Sequence, residues 1–167
     1  MSEPVVNELV QRMQGAASEQ EAERARWQLE AALLPNQVLR PGCGDMVTAV
    51  FDGLSSSSPG GLIESWEVLS QVAAATSGES AADGATVSRV RDVLVQNAAA
   101  ALSRIADQEP RAYDLLAVDV IDALLTFADP ALKERCLDAL RIFQLRGPRE
   151  TARVGVILKD VSGPRST

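Results

Sequence analysis

Few residues of this chain have the types and spacing to do chemistry. Gly42-Cys43-Gly44, just after Arg40, sets a cysteine between glycines, where an exposed thiolate could act as a nucleophile in a nest of backbone N–H groups. Such a thiolate needs a base or a strongly electropositive setting, and the chain contains no histidine. A glycine turn holding an incidental, buried thiol is therefore the expectation. The segment also lacks the third glycine and the preceding strand of a dinucleotide-binding fingerprint. Two carboxylate pairs are the other option. Asp119 with Asp122, and Glu64 with Glu67, are each three residues apart and share a helix face. Paired acids can exchange protons or hold a hard cation, but both pairs lie opposite the apolar stripe of their helices and are expected to be solvated.

The missing histidine excludes Ser-His-Asp and Cys-His catalysis, imidazole metal ligation and a histidine pH switch. The lone cysteines, Cys43 and Cys136, form neither a disulfide framework nor a zinc motif. No catalytic residue, cofactor or metal is assigned, and the chain is read as a non-enzyme. With 23 acids against 16 bases, a net charge of −7 and a pI near 4.6, it is not expected to bind nucleic acid, which calls for clustered Lys and Arg. Met1-Ser2-Glu3-Pro4 does not resemble a signal peptide, and no apolar run approaches a membrane span. A soluble, reduced, cytoplasmic protein is the resulting expectation, built as one domain of 167 residues.

The elements that must position these residues are helices, since apolar residues recur with a helical period almost throughout. Val5, Val6, Leu9, Val10 and Met13 stripe a first helix that Ser2 could cap. Ser18 and Glu21 make a capping box for a second, which Pro35-Asn36 ends. A turn at 40–44 leads to a helix carrying Met46, Val47, Val50, Phe51 and Leu54. Two flexible loops are expected, near 55–61 and near 76–86. Between them a helix presents Leu62, Ile63, Trp66, Leu69, Val72 and Ala73 to the core. Thr86 opens a long helix that continues to Ile105. Pro110 starts another at its first position, and Asp129-Pro130 repeats a cap-then-proline start. Residues 149–161 read as a last helix or a short strand, in a C-terminal segment, 149–167, of uncertain form.

Taken as pairs, the helices begin near 19, 59, 110 and 148. Without the polar loop at 76–85 that is a period of about 40 residues, the repeat length of stacked helical arrays. Asp129-Pro130-Ala131-Leu132-Lys133-Glu134-Arg135-Cys136-Leu137-Asp138-Ala139-Leu140 resembles the inner turn and second helix of a HEAT repeat. Asp129, Leu132, Lys133, Cys136 and Ala139 stand at the family's turn acid, aliphatic, basic and small positions. The other pairs match in length and apolar pattern alone. The run from Trp27 to Ala74 is similar to short actinobacterial HEAT-like proteins, some encoded beside polymorphic toxins. The resemblance implies an all-α, short HEAT-like superhelix of three to four antiparallel helix pairs.

Two surface features bear on function. Trp27 projects nearly opposite the Ala22, Ala25, Leu29, Leu33 stripe of its helix, so it is either sandwiched between repeats or offered to a partner as an aromatic anchor. Trp66 lies on its helix's one apolar face and is expected in the core. Residues 1–86 hold 12 acids and 4 bases, whereas residues 87–167 hold 11 and 12. Such a one-ended acidic field would steer docking to a basic protein surface. The expected function is that of a protein-binding module, in its most specific form an immunity protein occluding a basic toxin. The alternative is a constitutive scaffold or adaptor. The partner-binding candidates are Glu19, Glu23, Trp27, Glu30, Glu64 and Glu67.

Overall fold

The computed structural model describes residues 3–77, 83–107 and 109–162. Over these it is all-α: α1 (Glu3–Gln14), α2 (Glu19–Leu33), α3 (Cys43–Gly53), α4 (Pro59–Ser77), α5 (Gly84–Gln96), α6 (Ala98–Ala106), α7 (Asp114–Phe127), α8 (Pro130–Phe143) and α9 (Pro148–Ser162), with short 3₁₀ turns after α2, α3 and α8. None of these helices is long and apolar enough to cross a membrane.

Helix starts follow local chemistry. Ser18 Oγ accepts from Glu21 N (3.2 Å), while the Glu21 carboxylate reaches back to Ala17 N (3.1 Å), one residue before the usual box. Asp83 and Asp129 cap α5 and α8 by accepting from Thr86 N and Leu132 N, each at 2.8 Å. Leu132 and Cys136 then turn inward, and Lys133 Nζ reaches Thr126 O at 3.5 Å.

Several expectations are corrected. The stretch expected as a loop near 55–61 is helical at its end, because Pro59, Gly60 and Gly61 form the first turn of α4. Ser58 N donates to Gln14 O at 2.7 Å, and a Cβ on Gly61 would lie 2.5 Å from the carbonyl oxygens of Met13 and Gln14. Gly61 lets α4 press on the end of α1, and Gly60 lies against Glu19 at the start of α2. Of the loop near 76–86, Ser77 ends α4 and Gly84 starts α5; residues 78–82, like the suggested cap Ser2, lie outside the described residues.

The long helix from Thr86 is two helices, divided at Asn97 (φ −104°, ψ 11°), whose Nδ2 donates to Val93 O at 2.9 Å and competes with the backbone for that acceptor. Pro110 does not open α7, which begins at Asp114. There Arg111 N donates to the Asp114 carboxylate at 3.0 Å, so the turn forms around the acid and not the proline. Residues 149–161 belong to a helix, α9.

The helices neighbour one another in two series. α2, α4, α7 and α9 follow in contact, and so do α1, α3, α5, α6 and α8, with members of the two series packed across from each other. The buried apolar residues form one contiguous cluster from Val6 to Ile157. α4 is its centre, touching α1, α2, α3, α5 and α7. Trp66 is 3% exposed and stacks on Tyr113, with ring centroids 6.3 Å apart. Gln14 fastens the crowded end, donating to Val50 O at 2.8 Å and to Ser65 Oγ at 3.5 Å.

Candidate functional site

The partner-binding candidates fall on the series α2, α4, α7, α9, and polar side chains lace that face from one helix to the next. Between α2 and α4, the Arg26 guanidinium is shared by Glu30 (2.6 Å) and Glu64. Burial alone would lower the Arg26 pKa, but the hydrogen bonds and charges of the two glutamates outweigh it and raise the pKa above its ordinary value. Between α4 and α7, Ser70 Oγ donates to Asp119 at 3.0 Å. Between α7 and α9, Arg153 reaches Asp119 at 2.6 Å and Asp122 at 3.4 Å. Its pKa too is raised against the effect of burial, chiefly by Asp119.

Both carboxylate pairs expected to be solvated are therefore corrected. Glu64, Asp119 and Asp122 are half-buried because α4 and α7 stand inside the stack and have neighbours on both flanks. Desolvation raises the Asp122 pKa; Arg153 works against the rise, and Asp119 adds to it. The sequence carried a signal for this. α7 is apolar on nearly every side, so it had to be covered all round, and aspartates on a covered helix must meet partners.

The six predicted residues thus divide. Glu30 and Glu64 hold Arg26 and join two helices. Glu67 is half-buried and accepts from Gln71 Nε2 at 3.3 Å. Glu19, Glu23 and Trp27 face solvent, Trp27 with 60% of its surface exposed. The indole is thus not sandwiched between repeats; of the two readings, the projecting aromatic is the one the structure has.

Trp27 stands between two shallow hollows. One, of about 270 Å³, is bounded by Gln20, Glu23 and Arg24. The other, of about 300 Å³, is bounded by Glu30, Ala31, the 34–37 turn and Gln71. In that turn Asn36 (φ 55°) and Gln37 (φ 61°) are consecutive non-glycine residues in the left-handed region. Each such residue costs on the order of 1–3 kcal/mol and persists only where its surroundings hold it. Backbone bonds from Gln37 N to Leu34 O (3.0 Å) and from Arg40 N to Leu33 O (2.9 Å) do so.

A third hollow, of about 490 Å³, lies between α4, α7 and α9, with Ser70, Ala74, Asp119, Asp122 and Arg153 in its walls. On the other series, a cleft of about 630 Å³ separates α1 from α3 and carries Asp45 and Asp52.

The remaining sequence candidates have structural roles. Cys43 is buried, its Sγ donates to Leu33 O at 3.0 Å, and desolvation pushes its pKa up to about 11 against the pull of a backbone contact at Arg40. Cys136 is likewise buried, with a pKa pushed up to about 11. Neither thiol is a nucleophile at neutral pH. Among the described residues, no group of three or more cysteines or acids is placed to hold a metal ion. Three of the C-terminal arginines are engaged by acids of this chain. Arg153 and Arg146 turn inward onto Asp119 and Asp114, and Arg141 pairs with Asp138 at 2.7 Å.

Sequence reasoning also missed Asp114. It is buried between Arg104 (2.9 Å) and Arg146 (3.6 Å), whose guanidiniums lie over the rings of Tyr113 and Phe143. Among the residues named on the α2–α4–α7–α9 face, Glu23, Glu30, Glu64, Glu67, Asp119 and Asp122 outnumber Arg24, Arg26 and Arg153, although Glu30, Glu64, Asp119 and Asp122 are already engaged by arginine. Compared with protein-family models, curated proteins and solved structures, the chain matches none.

Proposed function

We infer that this chain is a non-enzymatic protein-binding module of the cytoplasm, built as a short HEAT-like superhelix, that docks a partner with a basic surface. The reading is carried by one observation: the acidic α2–α4–α7–α9 face ends in solvent-exposed Glu19 and Glu23 and a projecting Trp27. The order of helix neighbours in two series supports a stacked array, and the Asp129 cap with inward Leu132 and Cys136 supports the HEAT resemblance of α8. Long-range attraction by free carboxylates speeds encounter, and a rigid aromatic supplies contact area once the surfaces meet.

In its specific form, the protein is an immunity protein that covers a basic toxin. Co-expression with a toxin domain encoded beside its gene tests this. Rescue of growth is expected, and Glu19→Lys with Glu23→Lys should weaken binding by slowing association, most strongly at low salt. Failure to rescue, with recovery of the same cellular partner from toxin-free cells, would move the assignment to a constitutive adaptor. A shift of duplex DNA at low salt would overturn both.

A further inference from the structure

We propose that Trp27 and the 34–37 turn form a subsite for a single arginine side chain of the partner. The inference rests on the protein-binding reading above and adds the chemistry that is read there. Three of this protein's own aromatic rings already carry a guanidinium: Arg91 over Phe127 at 5.2 Å, Arg104 over Tyr113 at 5.6 Å and Arg146 over Phe143 at 4.7 Å. Phe51 and Trp66 are buried in the core. Trp27 has the ring type that attracts cations best, is 60% exposed, and has no cation of this chain over it among the described residues.

Its two hollows are not equivalent. The one toward the helix N-terminus already contains Arg24, which repels a second cation. The other is lined beside the indole by a carboxylate and three carboxamides: Glu30, which also accepts from Arg26, and Asn36, Gln37 and Gln71. Gln71 commits its NH₂ to Glu67, which leaves its carbonyl oxygen as an acceptor. A planar guanidinium with five donors can lie on the indole and donate to several oxygens at once. A compact, strongly hydrated ammonium has no plane to lay on the ring and fewer donors to share, so it gains less from the same walls. The left-handed Asn36 and Gln37 fix the far wall of this hollow. The occupant is therefore an arginine on a basic protein segment, held edge-on by oxygens and face-on by the ring.

The test is titration of the full chain, at low salt, with two decapeptides of alternating glycine and arginine or glycine and lysine. Calorimetry and tryptophan emission are the readouts. The arginine peptide is expected to bind several-fold to about tenfold more tightly, the range a ring–cation contact supplies. Trp27→Ala should bring the two peptides to parity, and Trp27→Phe should retain part of the preference. Because Trp27 is exposed, an unchanged circular dichroism spectrum shows that these variants fold. Glu19→Lys with Glu23→Lys should weaken both peptides alike. Equal affinities in the parent protein, or an arginine preference that survives Trp27→Ala, would remove the subsite and leave acidic docking standing. No binding of either peptide would overturn the subsite and the basic-partner reading together.

Discussion

Asp114 shows how much one enclosed charge can hold. Its side chain is 9% exposed and lies between Arg104 on α6 and Arg146 beyond α8, while also accepting from Arg111 N. Removing one partner of a buried ion cluster leaves the others desolvated without compensation. Asp114→Ala is therefore expected to cost about 3–5 kcal/mol, read as a lowered urea midpoint. Asp122 works the other way. Its folded pKa is raised, so the folded state binds protons more readily than the unfolded state. Its contribution to stability is full below the ordinary Asp pKa of about 3.9 and is lost as pH rises through the folded value. Asp122→Asn should remove that decline, so that stability measured from just above pH 4 upward rises more steeply than in the parent protein. Neither role was legible from residue type. Three aspartates on one helix look alike in sequence, and their difference is made by Arg104, Arg146 and Arg153, which arrive from other helices.

At the scale of elements, the starts were readable and the interruptions were not. Ser18 with Glu21, and Asp129 with Pro130, act within four residues, and the structure has both caps. The break at Asn97 lies inside an unbroken apolar period, so its one signal was a side chain able to bond Val93 O. Pro110 was misleading for a similar reason. A proline permits a helix start, but the Asp114 carboxylate, fixed by distant arginines, decides where α7 begins. Gly60 and Gly61 look like a flexible connector in sequence and are a packing device in space. Gly61→Ala is a direct check. The atoms opposing its Cβ are backbone carbonyls, which cannot swing aside, so α4 must lift from α1. A loss of about 1–3 kcal/mol is expected, with faster hydrogen exchange at the start of α4.

On the scale of the molecule, an array of repeats that touch only adjacent repeats can melt piecemeal. The described helices are too centred for that. α4 contacts α1, α2, α3, α5 and α7, and one buried cluster reaches from Val6 to Ile157. Chemical denaturation followed by circular dichroism and by Trp66 emission in Trp27→Phe should therefore give coincident single transitions. Amides of α4 and α7 should exchange most slowly. The acidic face depends on this unity, since its cross-links Arg26–Glu64, Ser70–Asp119 and Arg153–Asp119 join residues far apart in sequence. The helical class and the acidic bias of the first half could be read from composition. The joining of four helices into one face could not, because it is a property of neighbours.

The central place of α4 also has a consequence in time. Its flank against α7 stays bare until about 50 more residues have been made, roughly 3–10 seconds at ordinary rates of synthesis. During that interval the α7 flank of α4 is unpaired apolar surface, and slowing translation between α4 and α7 is expected to lower the folded yield, read as the soluble fraction after expression.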